Sequence, residues 1–120
     1  MSDKLYTAEH LWLQLQKDGS LLVGITPYAG VTGSVEALQT ANSADIILSH
    51  STLCSIETNK CIYEIQLPFP CKLLAVNQEL IARKQSVLDT DNWICKVHPV
   101  DENWMSELMD FDTYKNYAEV

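Results

Sequence analysis

Two alternating segments, Cys54–Thr58 and Cys61–Ile65, are separated by a single Asn-Lys pair, and this arrangement constrains the fold more than any other feature of the chain. Asn favours tight hairpin turns, so Asn59 and Lys60 predict a two-residue loop between antiparallel strands. A loop of that length places Lys60 at the tip of the hairpin, with its ammonium group in solvent. The sequence therefore predicts a lysine that a partner enzyme can reach.

The register of this hairpin sorts its side chains by polarity, because directly opposed residues share a face of the sheet. With the two-residue loop, one face is mostly apolar and consists of Cys54, Ile56, Thr58, Cys61, Tyr63 and Ile65. The other face is mostly polar and consists of Ser55, Glu57, Ile62 and Glu64. A loop longer by one residue would set Ile56 opposite Glu64 and mix the two faces, so the sorting favours the shorter loop.

A second hairpin is predicted near the start of the chain. The segments His10–Gln16 and Ser20–Ile25 alternate in polarity on either side of Asp18-Gly19, a common turn pair. Thr26-Pro27 follows and predicts the start of a short helix, with the threonine as N-cap and the proline at the first helical position. This helix is expected to end near Gly33.

The rest of the chain is predicted to be mainly β. Further strands are expected at 35–38, 45–48, 52–67, 72–76 and 93–97, with a helical turn at 78–84. Trp104, Leu108 and Phe111 are spaced at i, i+4 and i+7, which predicts an amphipathic helix packed on the sheets. With 120 residues, 47% of them hydrophobic, the chain is expected to form a single domain over 1–120. Its β body would cover about 5–98 and its C-terminal helix about 101–118.

The charge balance limits the classes of partner. The chain has 8 basic and 16 acidic residues and a formal net charge of -8. Nucleic acids and anionic membranes reward basic patches, so neither is expected as a partner, whereas an electropositive protein surface suits the charge. The N-terminal segment lacks the apolar core of a signal peptide, and no apolar run has the length of a membrane span. A cytoplasmic location is therefore expected.

The residue types that usually carry chemistry show no catalytic or metal-binding pattern. Cys54, Cys61, Cys71 and Cys95 lack paired CxxC spacing, so we expect reduced thiols, mostly buried in strands, and no metal site. The three histidines are far apart, and no nucleophile elbow or glycine-rich phosphate loop is present. The chain is therefore expected to be non-catalytic.

A hairpin-tip lysine without a catalytic set fits a swinging-arm carrier. In such a carrier a ligase attaches a cofactor to the lysine amine, and the ammonium becomes a neutral amide. The cofactor carries the chemistry and the protein presents it. The simpler interpretation is that Lys60 is an ordinary surface lysine in a turn, and the hairpin by itself does not separate the two.

Several segments of the sequence match one known family in the same order. These are Leu5–Leu13 with Tyr6, His10 and Trp12, the segment Val23–Ala29 with a Gly-Ile-Thr-x-Tyr-Ala pattern, Ile56–Lys60 in place of Val-Glu-Ser-x-Lys, Trp93–Pro99, and Leu108–Tyr114. Over nearly its whole length the chain thus resembles the H protein of the glycine cleavage system, a lipoyl carrier. Motifs that keep their order over a full chain are far more specific than one motif alone.

This resemblance implies a fold and a site. The fold would be a barrel-sandwich hybrid of antiparallel sheets, of the lipoyl and biotinyl type, with short helices and a C-terminal helix. Lipoate would be linked as an amide to Lys60, and Glu57 would be the acid that the lipoate ligase or lipoyltransferase recognises. Glu64 and Tyr28 are candidate residues of the cleft that shelters the arm. At Leu11 the family usually has a glutamate that helps to line this cleft.

The resemblance also implies a function without catalytic activity of its own. The arm on Lys60 would shuttle an aminomethyl group between glycine decarboxylase, aminomethyltransferase and dihydrolipoyl dehydrogenase, and the carrier is expected to be a monomer. One alternative is a divergent carrier or lipoyl relay that is not engaged in glycine cleavage, which the change at Leu11 motivates. A second alternative is an unmodified interaction domain that has kept the fold.

Overall fold

The computed structural model describes residues 4–31, 33–40, 46–82 and 92–119. Within these ranges the chain forms a six-stranded sheet, in the order β1-β2-β3-β9-β8-β5, and a three-stranded sheet, in the order β4-β6-β7. The strands are β1 (Lys4–Tyr6), β2 (Leu11–Leu15), β3 (Leu21–Ile25), β4 (Val35–Thr40), β5 (Ile46–Ile47), β6 (Thr52–Thr58), β7 (Ile62–Gln66), β8 (Cys71–Val76) and β9 (Cys95–Pro99). All pairings are antiparallel, so the predicted mainly β class is confirmed.

The helices are short. The described residues form a 3-10 helix at Pro27–Ala29, α1 at Glu79–Ala82, a 3-10 helix at Trp104–Glu107 and α2 at Phe111–Ala118. Helix α1 confirms the turn predicted at 78–84, of which 83–84 lie outside the described ranges. Strand β5 likewise confirms the strand predicted at 45–48, with residue 45 outside them. None of the described helices has the length and apolar character needed to cross a membrane.

The first hairpin forms as predicted and supplies much of the core. Leu11 pairs with Ile25 and Leu13 with Val23 across β2 and β3, and all four side chains are buried. The core also takes side chains from the three-stranded sheet, such as Ile56, which is fully buried. Burial of each such side chain stabilises the fold by about 1.5–3 kcal/mol relative to exposure. The two sheets therefore share one core.

The cysteines lie where the sequence predicted. Cys54, Cys71 and Cys95 are buried in strands, Cys61 is half-buried, and all four are free thiols. Desolvation by burial raises the pKa of Cys71 to about 12. The pKa of Cys95 is also raised, first by a hydrogen bond with Cys54 and then by burial. The Cys71 and Cys95 thiols therefore stay protonated at neutral pH and pack as small apolar side chains.

The helix predicted to begin at Thr26-Pro27 is shorter than expected. It ends at Gly30, whose backbone is left-handed with φ of 74° and whose N–H donates to the Pro27 carbonyl, so it does not reach Gly33. The Thr26 hydroxyl makes no capping hydrogen bond. It lies 2.5 Å from the Tyr114 hydroxyl of α2. The threonine hydroxyl is therefore used in a tertiary contact with α2 and not in the helix cap that the sequence predicted.

The single helix predicted over about 101–118 is wrong at its start. After the 3-10 helix at Trp104–Glu107, Met109 is extended and pairs with Tyr6, with a distance of 2.8 Å in each N–H···O=C bond between them. Asp110 then starts α2, because its carboxylate accepts from the Thr113 N–H at 2.8 Å. That bond also lowers the pKa of Asp110. Met109, which the helical spacing placed inside a helix, therefore pairs with the free edge of β1 instead.

Candidate functional site

The hairpin β6-β7 has the register that the sequence predicted. Cys54 lies opposite Ile65 and Ile56 opposite Tyr63. The Thr58 N–H donates to the Cys61 carbonyl at 2.8 Å and closes the loop. The loop therefore consists of two residues, and the apolar face of the hairpin is turned to the core.

The Thr58 side chain organises the tip of this hairpin. Its hydroxyl oxygen accepts hydrogen bonds from the backbone N–H groups of Lys60, at 3.1 Å, and Cys61, at 3.0 Å. Thr58 is buried, with 5% of its surface exposed, so these bonds are shielded from water. Short hydroxyl side chains commonly stabilise turns in this way. The Thr58 hydroxyl thus fixes the backbone of Lys60, while Lys60 itself is exposed to solvent.

Asn59 ties the tip to the loop that precedes β4. Its backbone N–H donates to the Ser34 carbonyl at 3.3 Å, and its side-chain oxygen accepts from the Ser34 N–H at 3.2 Å. Gly33 makes this approach possible, because a Cβ at that position would lie 2.2 Å from the Asn59 Oδ1. The φ of Gly33 is +99°, which other residues rarely adopt. We call Gly33, Ser34 and Asn59 the tip clamp.

The tip clamp is a positioning device that the sequence did not reveal. In the sequence, Asn59 favours a turn and Gly33 favours the end of a helix, and both are local interpretations. The structure ends the preceding helix at Gly30, so Gly33 is not needed to terminate it. The structure instead joins them across 26 residues by close contact.

Lys60 is exposed at the tip, as predicted. Its ammonium group makes no ion pair or side-chain hydrogen bond with another residue in the described part of the chain. The side chain is therefore available to a large partner. Acylation of its amine would replace a charge in solvent with a neutral amide, and neither form requires burial of a charge. The residue present at the tip thus fits an amide-linked arm.

Glu57 and Glu64 lie on the outward face of the hairpin. Glu57 is opposite Ile62, and Glu64 is opposite Ser55. Both carboxylates are exposed, and Glu64 accepts a hydrogen bond of 3.3 Å from the Thr52 hydroxyl. The polar face predicted from the alternation is therefore present, and it flanks the base of the lysine tip.

Tyr28 lies in a different part of the structure. Its hydroxyl donates a hydrogen bond to the Glu119 carboxylate, which raises the pKa of Tyr28. Its ring packs edge-on against Tyr114, with 5.9 Å between the ring centroids. Within the described ranges no hydrogen bond joins Tyr28 to Lys60 or Glu64. The structure thus groups Tyr28 with the C-terminal helix, and its role at an arm cleft stays a prediction.

An aromatic cluster that sequence reasoning missed holds α2 against the sheet. The Tyr114 hydroxyl lies 2.7 Å from the His10 Nδ1, and Tyr114 stacks on Tyr6 with 4.7 Å between their ring centroids. Tyr114 is 2% exposed, and burial raises its pKa. His10 has a φ of 69°, which is uncommon for a histidine. Tyr6 and His10, which match the family's opening segment, therefore contact helix α2 in this structure.

Leu11 does not line a surface cleft. Its side chain is fully buried in the core, opposite Ile25. A carboxylate at that position would lose its hydration without a described partner, at a large cost in free energy. In this structure Leu11 is a core residue, and leucine fits the apolar environment found there.

Comparisons with known proteins agree with this geometry. The sequence model of the family described as Glycine cleavage H-protein matches residues 4–120. The probable glycine cleavage system H protein of Pyrococcus furiosus is 32% identical over 116 residues, which cover 93% of this chain and 87% of that protein. The glycine cleavage system H protein of Listeria innocua is 30% identical over 118 residues, which cover 94% and 93%.

A solved structure gives the same fold. The crystal structure of a glycine cleavage system H protein from Mycobacterium marinum superimposes with a TM-score of 0.76 and 22% sequence identity. The match covers 100% of this chain and 99% of that one, and it confirms the predicted barrel-sandwich fold. Together with the family match over residues 4–120, the coverage shows that this chain belongs to the glycine cleavage H-protein family.

Proposed function

We propose that this chain is a lipoyl carrier of the glycine cleavage system, with lipoate attached through an amide to Lys60. The observation that carries the proposal is the exposed lysine at the tip of a two-residue hairpin in a chain of this family. When attached, the lipoyl group supplies a reversible disulfide that carries an aminomethyl group between enzymes. The chain itself positions and presents the arm.

Attachment uses the Lys60 amine as a nucleophile. After it loses a proton, the amine attacks the carbonyl carbon of an activated lipoyl donor, such as an acyl adenylate, and the C–N bond forms. The C–O bond to the leaving group breaks, the leaving group takes the electron pair, and the remaining extra proton goes to a base of the attaching enzyme. The tip clamp and the Thr58 hydroxyl reduce the conformational freedom of the lysine backbone, which favours this encounter.

The remaining site residues have roles around this attachment. Glu57, exposed on the outward face, is recognised by the lipoate ligase or lipoyltransferase. Glu64 and Tyr28 contribute to the surface over which the attached arm lies. The enzymes that use the arm are glycine decarboxylase, aminomethyltransferase and dihydrolipoyl dehydrogenase, and a carrier with a net charge of -8 suits electropositive docking surfaces on them.

Intact mass after co-expression with a lipoate ligase tests the attachment. The wild-type chain should gain the mass of one lipoyl group, and Lys60→Arg should gain none, because arginine keeps the charge but cannot form the amide. Lys72→Arg, at another exposed lysine, is the matched control and should be modified like the wild type. Modification of Lys60→Arg would disprove the site, and an unmodified wild type would favour the unmodified interaction domain.

Reconstituted exchange between glycine and bicarbonate tests the use of the arm. The lipoylated chain with purified partner enzymes should exchange well above the unlipoylated chain. Lipoylation without exchange would instead favour a carrier or relay outside glycine cleavage. That alternative is motivated by the change at Leu11, where this chain has no carboxylate.

A further inference from the structure

The outward face of the lysine hairpin carries an exposed isoleucine between two carboxylates. Ile62 is 71% exposed, the highest value for a large apolar side chain among the residues that the structure describes. Glu57 lies directly opposite on β6, and Glu64 lies two residues along β7 on the same face. We call Glu57, Ile62 and Glu64 the hairpin patch.

A single exposed apolar residue is common on protein surfaces and usually needs no explanation. The position of Ile62 separates it from that case. A strand rises by about 3.3 Å per residue, so the backbone of Ile62 lies within about 7 Å of the Lys60 backbone. An enzyme that encloses the Lys60 amine therefore comes close to the hairpin patch.

The main chain beside Ile62 is also open. Strand β7 is at the edge of the three-stranded sheet, and no other described strand pairs with its outer side. Thr58 and Cys61 form a hydrogen-bonded pair, and such pairs alternate along antiparallel strands, so the backbone groups of Ile62 and Glu64 point away from β6. An extended segment of a partner can bond to this edge.

The charges around Ile62 specify the kind of partner. Glu57 and Glu64 are exposed acids on the same face, in a chain with a net charge of -8. Interfaces commonly combine an apolar anchor with a polar rim. A complementary surface therefore has an apolar pocket for Ile62 and basic groups on either side of it.

We propose that the hairpin patch is the docking surface for the enzyme that attaches lipoate, with Ile62 as the apolar anchor and Glu57 and Glu64 paired with basic groups of the enzyme. This inference rests on the proposed function, since it presumes that Lys60 is the acylated residue. It adds a residue, Ile62, that determines how efficiently the attaching enzyme recognises the chain.

The test compares Ile62→Thr with Leu48→Thr. Threonine keeps the β-branch that suits a strand but removes apolar surface. Leu48 is 68% exposed and follows β5 in the other sheet, so it is a matched control. With purified lipoate ligase, lipoate and ATP, time-resolved intact mass should give a kcat/KM for Ile62→Thr about tenfold below wild type, as is typical for truncation of an interface anchor. Leu48→Thr should stay within about twofold of wild type, as expected for a residue outside the interface.

A binding measurement separates docking from chemistry. In a Lys60→Arg background, which cannot be acylated, Ile62→Thr should weaken the affinity for the ligase by a similar factor, and Ile62→Val should restore most of it. Circular dichroism and the thermal midpoint show whether each variant is folded. If Ile62→Thr did not fold, the double variant Glu57→Gln/Glu64→Gln would carry the test. Its loss of both carboxylates should weaken binding to the ligase and reduce the salt dependence of binding, and unchanged binding would overturn the proposal.

The outcomes distinguish this inference from the proposed function. Equal kcat/KM and equal affinity for Ile62→Thr and wild type would overturn the docking surface while Lys60 was still lipoylated. Loss of glycine exchange in fully lipoylated Ile62→Thr, with normal lipoylation kinetics, would assign the patch to a glycine cleavage enzyme and also overturn it. A wild-type chain that the ligase never modified would overturn both proposals.

Discussion

Asn59 has two roles at the lysine tip, one in the turn and one in the tip clamp. Its position between Thr58 and Lys60 satisfies the two-residue loop, and its side chain accepts from the Ser34 N–H. Gly33 is the residue that permits this contact, since any side chain there would overlap the Asn59 amide. The direction in which Lys60 is presented therefore depends on a glycine that lies 27 positions earlier in the chain.

The first prediction concerns this glycine. Gly33→Ala should lower the free energy of unfolding by more than about 1 kcal/mol, because alanine is strained at positive φ and its Cβ displaces Asn59. Gly30→Ala is the matched control, since Gly30 also has positive φ, at +74°, but nothing lies within 4 Å of its Cβ position. Urea denaturation measures both.

The difference between these two variants isolates the tip clamp from backbone strain. Gly33→Ala should also slow lipoylation of Lys60, whereas Gly30→Ala should not. Equal losses of stability and equal lipoylation rates for the two variants would contradict the role assigned to Gly33.

At the scale of elements, the C-terminal segment is built from three pieces with different causes. The 3-10 helix at Trp104–Glu107 covers apolar surface, with the Trp104 ring 5.8 Å from the Phe69 ring. Met109 extends the sheet at the edge of β1. Helix α2 then follows its N-cap Asp110, and Tyr114 holds it against the sheet. An amphipathic spacing therefore continues across a break in the helix.

The second prediction concerns the start of α2. Asp110→Ala should lower the thermal midpoint, because the Thr113 N–H loses its capping partner, while Asp110→Asn should keep most of the cap. The pKa of Asp110 is lowered from 3.8, so its charge-dependent contribution to stability is complete above that value and is lost as the pH falls through the folded pKa.

Thermal melts of wild type and Asp110→Asn at several pH values check this sign. The advantage of the wild type should be present near neutral pH and should shrink as the solution becomes more acid than the unfolded pKa of 3.8. An advantage that grew with acid would contradict the assignment of the cap to the ionised carboxylate.

At the scale of the whole molecule, one core holds the two sheets together and leaves the hairpin tip outside. Three of the four cysteines lie inside this core, on β6, β8 and β9, and Cys61 lies next to the lysine at its edge. The core therefore keeps most of the thiols away from any disulfide carried on the arm. This would matter for the proposed lipoyl arm on Lys60, because the working group of lipoate is itself a disulfide.

The third prediction follows from this distribution. In the folded chain a thiol reagent should label Cys61 first and leave Cys54, Cys71 and Cys95 protected, because their thiols are buried and the pKa of Cys71 is raised to about 12. In denaturant all four should react. Intact mass counts the labels, and Cys61→Ser should lose the fast label; fast labelling of Cys71 in the folded chain would contradict the prediction.

The sequence by itself determined the hairpin and its register. Alternation has a period of two, so the sorting of Ile56 and Tyr63 to one face and Glu57 to the other admits one loop length, and that loop contains Lys60. The same local reasoning placed the β2-β3 hairpin, and the ordered motifs identified the family. The two hairpins depend on the polarity pattern of residues that are close in sequence, so they can be predicted without knowledge of the tertiary structure.

Only the tertiary structure decided the features that join distant segments. The contact of Gly33 with Asn59 and the pairing of Met109 with Tyr6 have no local signature. Each depends on which element lies beside it, because backbone groups at a strand edge and polar groups near a core bind whatever partner the fold supplies. The position of Lys60 at the hairpin tip could therefore be predicted from neighbouring residues, whereas the tip clamp that holds this hairpin could not.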